Sequence, residues 1–306
     1  FWASIWDYFD VDSAQPYERV IDARPMPGTR WFPGARVNFA QHVLRHEGAR
    51  RDEPAVLHRG EVRAPTQTTW GELGDAVRAV ATALRERGIA PGDRVVSYMP
   101  NVVETLVAML ATTAIAAARA SAAPEFGASF VTDRFAQVAP KAIFVADGYR
   151  FGGKAFERTN EVRAIVAGLP SLELIVTLPY LDPGASFAFA GIAGATWDAL
   201  AAARAPGADA FVFERAGAND PLWILFSSGT TGLPKAVVHS HVGIVVETLK
   251  NLAFHADLDP ASTMFFYTTT GWMMWNALVS SLLLGAKIVL YDGHPTTPEP
   301  DTLWRL

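Results

Sequence analysis

Between Phe226 and His239 the chain reads FSSGTTGLPKAVVH. Four hydroxyls (Ser227, Ser228, Thr230 and Thr231), two glycines (Gly229 and Gly232) and one cation, Lys235, fall close together there. A polyphosphate needs such a set: converging N–H and O–H donors, a backbone that admits close approach, and a compact positive charge. Glycine permits backbone geometry that other residues resist. Successive free N–H groups form an anion-binding concavity, and a lysine ammonium suits a phosphate better than a fixed pair. The spacing is not G-x-x-x-x-G-K-[ST], so this is not the phosphate loop of the strand-to-helix nucleotidases. Apolar runs at 223–226 and 236–238 put the loop between two strands. On composition alone it serves equally as a phosphate cradle or as a Gly/Ser hairpin with a solvated lysine.

The elements that must position this loop alternate. Residues 1–52 form an aromatic, proline-punctuated wrapping segment that ends in a short helix at 39–44. Thr69 and Glu72 have capping-box spacing. Trp70, Leu73, Val77, Val80, Ala81 and Leu84 then recur at helical spacing, and Gly88 suits the position just past a helix end. A short buried strand at 94–99 is broken by Pro100-Asn101, and the alanine-rich run 102–118 reads as one apolar helix. Strands are expected at 142–147 and 172–179, with helical stretches at 129–138 and 161–170. Glycine and alanine dominate 183–219, which reads as a poorly specified connection. Beyond the loop, a helix (241–254), a strand (263–270), a helix (275–285) and a strand (286–293) follow. This alternation implies βαβ units, an α/β fold of mixed, mostly parallel sheets covered by helices.

The 306 residues are 50% apolar and 19% charged, with 26 basic and 31 acidic groups and a net charge of −5. That length buries a large core, and no basic stripe marks a nucleic-acid partner. The lack of cysteine excludes a disulfide scaffold, a thiolate nucleophile and a thiolate metal site. The longest apolar run, 106–118, falls short of the ~18 residues that suggest a membrane span, and no signal segment opens the chain. We read a soluble, cytoplasmic chain without a membrane partner; its oligomeric state is not legible. The chain opens on Phe1, and 300–306 reads as the first turn of a helix. It therefore reads as a piece of a longer protein.

SSGTTGLPKAVVH resembles the signature loop of the adenylate-forming, acyl-activating enzymes. FWASIWDYFD, WFPGARVNFAQHVL, DRFAQVAPKAIFVADGYRFGGK and TTTGWMMWNALVSSLLLGAKIVLYDG extend that resemblance from residue 1 to residue 306. The run GWMMWN (271–276) resembles the acetoacetate-activating branch more than the acetate or propionate branches. The resemblance implies the N-terminal part of the family's large domain at 53–306, incomplete, behind an N-terminal extension at 1–52, with the small C-terminal domain absent. It implies a ligase that joins a carboxylate to ATP, releases pyrophosphate, and lets the thiol of CoA displace AMP. ATP, Mg2+ and CoA are then its cofactors, and acetoacetate or a similar short carboxylate is its substrate.

By the same resemblance, Ser227, Ser228, Gly229, Thr230, Thr231, Gly232 and Lys235 hold the ATP phosphates. Lys235 and Thr230 are the catalytic residues, magnesium lies nearby, and no residue is put forward as a metal ligand. Arg150, with Lys154 second, meets the CoA nucleotide; the alternative is a solvated turn. Trp272, Met273 and Asn276, beside Trp275, line the acyl pocket, with Asn276 facing the 3-keto oxygen; the alternative is a core stripe at helical spacing. His239 and His241 read as packed, hydrogen-bonded residues, since their spacing alone makes no metal site.

Two departures from the family pattern stand out. Ala116-Ala-Ala-Arg119-Ala-Ser121 replaces Gly-Ala-(Ile/Val)-Trp-Ser-Ser, which introduces a charge that must reach water or a partner. Residues 259–263 replace a Pro-Gly-Asp turn. The family's adenine- and ribose-binding motifs and its adenylation lysine lie beyond residue 306. Positioning supplies ~7–11 kcal/mol of catalysis, so the isolated chain is expected to be inactive. Two other readings remain: a ligase for another short carboxylate, such as acetate or propionate, or a non-catalytic nucleotide-binding remnant.

Overall fold

The computed structural model describes residues 1–26, 28–227 and 234–306. Its largest element is a seven-stranded sheet. In spatial order it contains Ala193–Thr196, Leu174–Leu178, Ala142–Ala146, Arg94–Tyr98, Ala118–Ala122, Pro221–Ser227 and Lys235–Ser240. Neighbours among the first six run parallel, and only the last pair is antiparallel. A second sheet of four strands orders Thr263–Phe265, Lys287–Asp292, Pro54–Gly60 and Thr66–Thr69. Alternate residues of the large sheet enter two cores: Val95, Phe144 and Val176 one, Val96, Ile143 and Ile175 the other. Burial on both faces is why these strands read as continuous apolar runs. The α/β expectation holds.

The best-marked helix forms where its signals stand. Trp70–Glu86 starts from a full capping box: Glu72 N donates to Thr69 Oγ1, and Thr69 N donates to the Glu72 carboxylate. Its apolar face is buried, and Gly88 just beyond its end takes φ +81°. The short helix Phe39–Leu44 is also present, capped by Asn38. Asn38 Nδ2 donates to the carbonyls of Thr113, Ala114 and Glu214, which sews the N-terminal segment onto the core.

Other elements differ from expectation. The apolar helix spans only Val103–Ala114; Ala116 then turns at φ +53°, and Ala118–Ala122 is a strand. Alanine favours helix intrinsically, but here it fills the slot between Arg94–Tyr98 and Pro221–Ser227, where both faces are covered and tertiary context overrides propensity. The 183–219 connection holds a strand, Ala193–Thr196, and a helix, Trp197–Ala201, capped by Thr196. The strand expected at 263–270 shortens to Thr263–Phe265. The last α-helix is Met273–Ser280, continued by the 3-10 turn Ser281–Leu284, and the chain ends in another 3-10 turn, Thr302–Arg305. Among the described residues, no helix is long and apolar enough to cross a membrane.

Arg119 stands in the middle of the alanine strand, 2% exposed. Its Nη2 donates to Ser97 Oγ at 3.2 Å, and its guanidinium carbon lies 4.6 Å from the Trp275 ring centre. Burial pushes its pKa down to about 9, which leaves it charged at neutral pH, and no acid opposes the shift. The partner it reaches is a hydroxyl and an indole face, with no carboxylate among the described residues.

Candidate active site

The donor-rich loop springs from the antiparallel pair at the edge of the large sheet. There Ser227 stands opposite Lys235, so the two described ends of the loop are cross-strand neighbours. Ser228, Gly229, Thr230, Thr231 and Gly232 lie outside the described residues. Gln137 Nε2 donates to the Pro234 carbonyl at 3.0 Å and ties the loop's exit to the turn Ala136–Val138. Trp223 Nε1 donates to His239 Nδ1 at 2.9 Å, and Phe39 N donates to His241 Nδ1 at 3.2 Å. Both histidines are packed acceptors. Burial lowers the pKa of His239 and drives that of His241 down to about 3, so both stay neutral near pH 7. Among the described residues no group of three or more His, Asp or Glu is placed to hold a metal ion.

A cavity of about 370 Å³ opens where carboxyl ends of strands from both sheets meet. Asn101 follows Arg94–Tyr98, Glu125 follows Ala118–Ala122, and Arg150 follows Ala142–Ala146. From the smaller sheet, Thr270 follows Thr263–Phe265, and Asp292 ends Lys287–Asp292. Ligands of open α/β sheets bind at this end of the strands. Asn101 knits the floor: its Nδ2 donates to the Tyr291 carbonyl at 3.2 Å, and its Oδ1 accepts from Trp275 Nε1 at 2.7 Å. The buried Asp292 carboxylate accepts from Tyr180 Oη at 2.8 Å, and burial pushes its pKa up to about 7. The cavity wall also desolvates the Glu125 carboxyl and raises it from its ordinary value, although the residue as a whole is exposed. Two carboxyls raised from their ordinary values share the lining of this one cleft.

Arg150 lies on the two-stranded hairpin of Gly148–Phe151 and Lys154–Glu157, whose turn holds Gly152 and Gly153 at φ +62° and +77°. Its side chain lines the 370 Å³ cavity and two neighbours of about 510 and 380 Å³. The residue is exposed, and its side chain has no hydrogen-bond or ion-pair partner among the described residues. Lys154 is exposed on the same hairpin.

The acyl-pocket candidates fall elsewhere. Trp272 and Met273 are 58% and 41% exposed at the start of Met273–Ser280. Asn276 is buried, and neither atom of its amide finds a hydrogen-bond partner. Trp272, Met273 and Asn276 are not among the residues lining the 370 Å³ cavity; the threonines just before them, Thr268 to Thr270, are. Ser227 and Lys235 do not line it either. Sequence reasoning missed Asn101, Glu125 and Asp292. Each is a polar residue at or just past a strand's carboxyl end, a signal that becomes usable only once the strands are located.

The α/β body has two main sheets whose strand ends face a common cavity. The AMP-binding enzyme family matches residues 44–306, and the chain belongs to that family. The acetyl-coenzyme A synthetase N-terminus matches residues 1–43. The chain is 41% identical to an acetoacetyl-coenzyme A synthetase of Rhizobium meliloti over 304 residues, 99% of this chain and 46% of that protein. It is 37% identical to the acetoacetyl-CoA synthetase of Gallus gallus, over 100% of this chain and 46% of that one. The solved acetoacetyl-CoA synthetase from Streptomyces lividans superposes with a TM-score of 0.93 at 48% identity, covering 100% of this chain and 46% of that one. The chain thus spans about half the length of the relatives it matches.

Proposed function

We propose that this chain is part of an AMP-forming acid–thiol ligase that activates acetoacetate. Acetoacetate and ATP give acetoacetyl-adenylate and pyrophosphate, and the thiol of CoA then displaces AMP to form the thioester. The observation that carries this reading is the 48% identity to the Streptomyces lividans enzyme along the whole chain. Acetate, propionate or another short acid is the competing substrate. We place the division between the N-terminal extension and the large domain at 52–53, and the site of action in the cytoplasm, away from membranes and nucleic acid.

In this reading Ser227 and Lys235 flank the β- and γ-phosphates at the hairpin base, and Ser228, Gly229, Thr230, Thr231 and Gly232 supply the donors between them. Donors set in advance where charge develops stabilise the departure of pyrophosphate, about 3 kcal/mol for one such group. Magnesium, when bound, neutralises phosphate charge. It takes oxygen ligands and relies on few protein groups, and the hydroxyls of the loop sequence would add to the oxygens that ATP itself would supply. Arg150 holds the CoA nucleotide phosphates at the cavity mouth. Along the cavity wall, the buried Asp292 and the exposed Glu125 are the carboxyls able to take the thiol proton as sulfur attacks the adenylate carbonyl. Trp272, Met273 and Asn276 shape the acyl end, Asn276 bringing an amide with no other partner.

The test is acetoacetate-dependent exchange of labelled pyrophosphate into ATP. Two proteins are compared: the 306-residue chain alone, and the chain joined to the remaining length of the Rhizobium meliloti relative. The expected result is no exchange from the chain alone. The joined protein should exchange with acetoacetate at least about tenfold faster than with acetate, the scale on which pockets sort small acids. Equal or faster exchange with acetate sinks the substrate assignment, and exchange by the chain alone sinks the expectation that the isolated chain is inactive.

A further inference from the structure

We propose that Glu61 is the positioning residue for Arg150. Its carboxylate pins the tip of the Arg150 hairpin and so holds the guanidinium at the mouth of the three cavities, ready for a nucleotide phosphate. This rests on the reading that Arg150 meets CoA.

The hairpin needs pins because it joins neither large sheet; Gly148–Phe151 and Lys154–Glu157 pair only with each other. A lone two-stranded ribbon is marginal in water. Its base is fixed by Asp147, whose carboxylate accepts from the backbone N–H groups of Tyr180, Leu181 and Asp182 at 2.6, 2.9 and 2.7 Å. The Asp147 carbonyl also accepts from Arg158 N at 2.7 Å, where the second strand leaves.

Glu61 fixes the opposite end. Its Oε1 accepts from Gly152 N at 2.9 Å and from His294 N at 2.7 Å, and its Oε2 accepts from Gly153 N at 2.6 Å. These are charge-assisted bonds, stronger than neutral ones. Glu61 is itself rooted in the smaller sheet: it follows Pro54–Gly60, and its N–H donates to the Asp292 carbonyl at 3.0 Å. A Cβ at Gly293 would stand 2.9 Å from Glu61 Cγ, so the carboxylate's approach is confined. The Phe151 ring adds an edge contact to His294, with centroids 4.8 Å apart. Among the described residues no cation pairs with Glu61. One acid therefore ties the hairpin turn, one residue from Phe151 and two from Arg150, to the strand end that carries Asp292.

The charge of Glu61 lies where a phosphate is proposed to dock. An unengaged carboxylate there repels the ligand, whereas one engaged by three N–H groups holds the arginine in place. The two roles predict opposite signs. Calorimetric titration of the 306-residue chain with CoA and with pantetheine, which has no phosphate, reads the sign. Arg150→Ala is expected to weaken CoA binding about tenfold, the loss typical of one charged phosphate contact, and to leave pantetheine unchanged. Glu61→Ala is expected to weaken CoA about fivefold without affecting pantetheine. The double variant should bind no more weakly than Arg150→Ala, because the two act as one unit. Glu61→Gln, which keeps an acceptor oxygen, should fall between wild type and Glu61→Ala. Amide exchange at Gly152, Gly153 and His294 should accelerate in Glu61→Ala.

Unchanged or tighter CoA binding in Glu61→Ala, with Arg150→Ala weakened, overturns the positioning role and leaves the CoA reading standing. Equal loss of CoA and pantetheine in Glu61→Ala marks a general structural defect and also overturns it, as does unchanged amide exchange. If Arg150→Ala binds CoA like the wild type, the CoA reading falls and the positioning role with it.

Discussion

Arg78 and Arg119 are buried alike, each 2% exposed, and the chain treats them in opposite ways. Arg78 Nη1 and Nη2 donate to the two Glu47 carboxylate oxygens at 2.7 and 2.8 Å, and Nη2 also donates to Asp75 Oδ1 at 2.5 Å. The Glu47 bonds raise its pKa. Gly74 leaves room for this pair, since a Cβ there would lie 2.2 Å from Glu47 Oε2. Arg119 has one serine and an indole face. The difference lies in the element. On the helix Trp70–Glu86 a partner three residues away shares the face, and the short helix Glu47–Arg50 packs close by. An inner strand has only its sheet neighbours, here Val95 and Trp223 directly opposite Arg119, and the apolar helices above them. A helix surface can recruit an acid for a buried cation; this strand slot has none.

Three experiments press on that contrast. Glu47→Ala should be the most damaging, about 3–5 kcal/mol in urea unfolding, because it leaves Arg78 buried with its main partner gone. A loss below about 1 kcal/mol would show that Asp75 alone suffices and would break the contrast. Acid titration comes next, through buried groups that escape the problem by staying neutral. Burial lowers His42 from 6.5 to about 4 and His241 to about 3. The unfolded chain binds those protons first, so the histidines' contribution is full above about pH 6.5 and falls as the pH drops toward 4, offset in part by Asp292, which the folded chain protonates first. For His42 alone the loss reaches ~3 kcal/mol. Unfolding midpoints flat between pH 6.5 and 4.5 would contradict this. The smallest effect is a gain: Arg119→Met should stabilise by about 1–3 kcal/mol, as replacing buried charge with apolar volume often does. A loss instead would mean that the guanidinium–indole contact, worth about 2 kcal/mol when desolvated, outweighs the burial of the charge.

How legible each part was follows from the range of its cause. Trp70–Glu86 was readable because its cap, its periodicity and its left-handed glycine are all local. So was the placement of the hydroxyl-rich loop sequence between two strands, since both flanks are apolar runs. Ala118–Ala122 was not, because nothing in an alanine run distinguishes a helix from a slot between two strands far away in sequence. The 370 Å³ cavity was least legible. Arg150 entered through family resemblance, while Asn101, Glu125 and Asp292 come from three separate strand ends, and only topology brings them together. Arg119 was visible as an oddity, but its partners Ser97 and Trp275 lie 22 and 156 residues away.

The opposition of Ser227 and Lys235 across the edge hairpin constrains how this region can change over generations. Side chains alternate faces along a strand. Insertions between these two residues leave the lysine on its face and the mouth of the loop at one cross-strand spacing. Losing a single residue within Lys235–Ser240 would instead turn the lysine to the other side of the sheet. Drift in loop length is therefore compatible with a working hairpin, whereas drift in strand length is not.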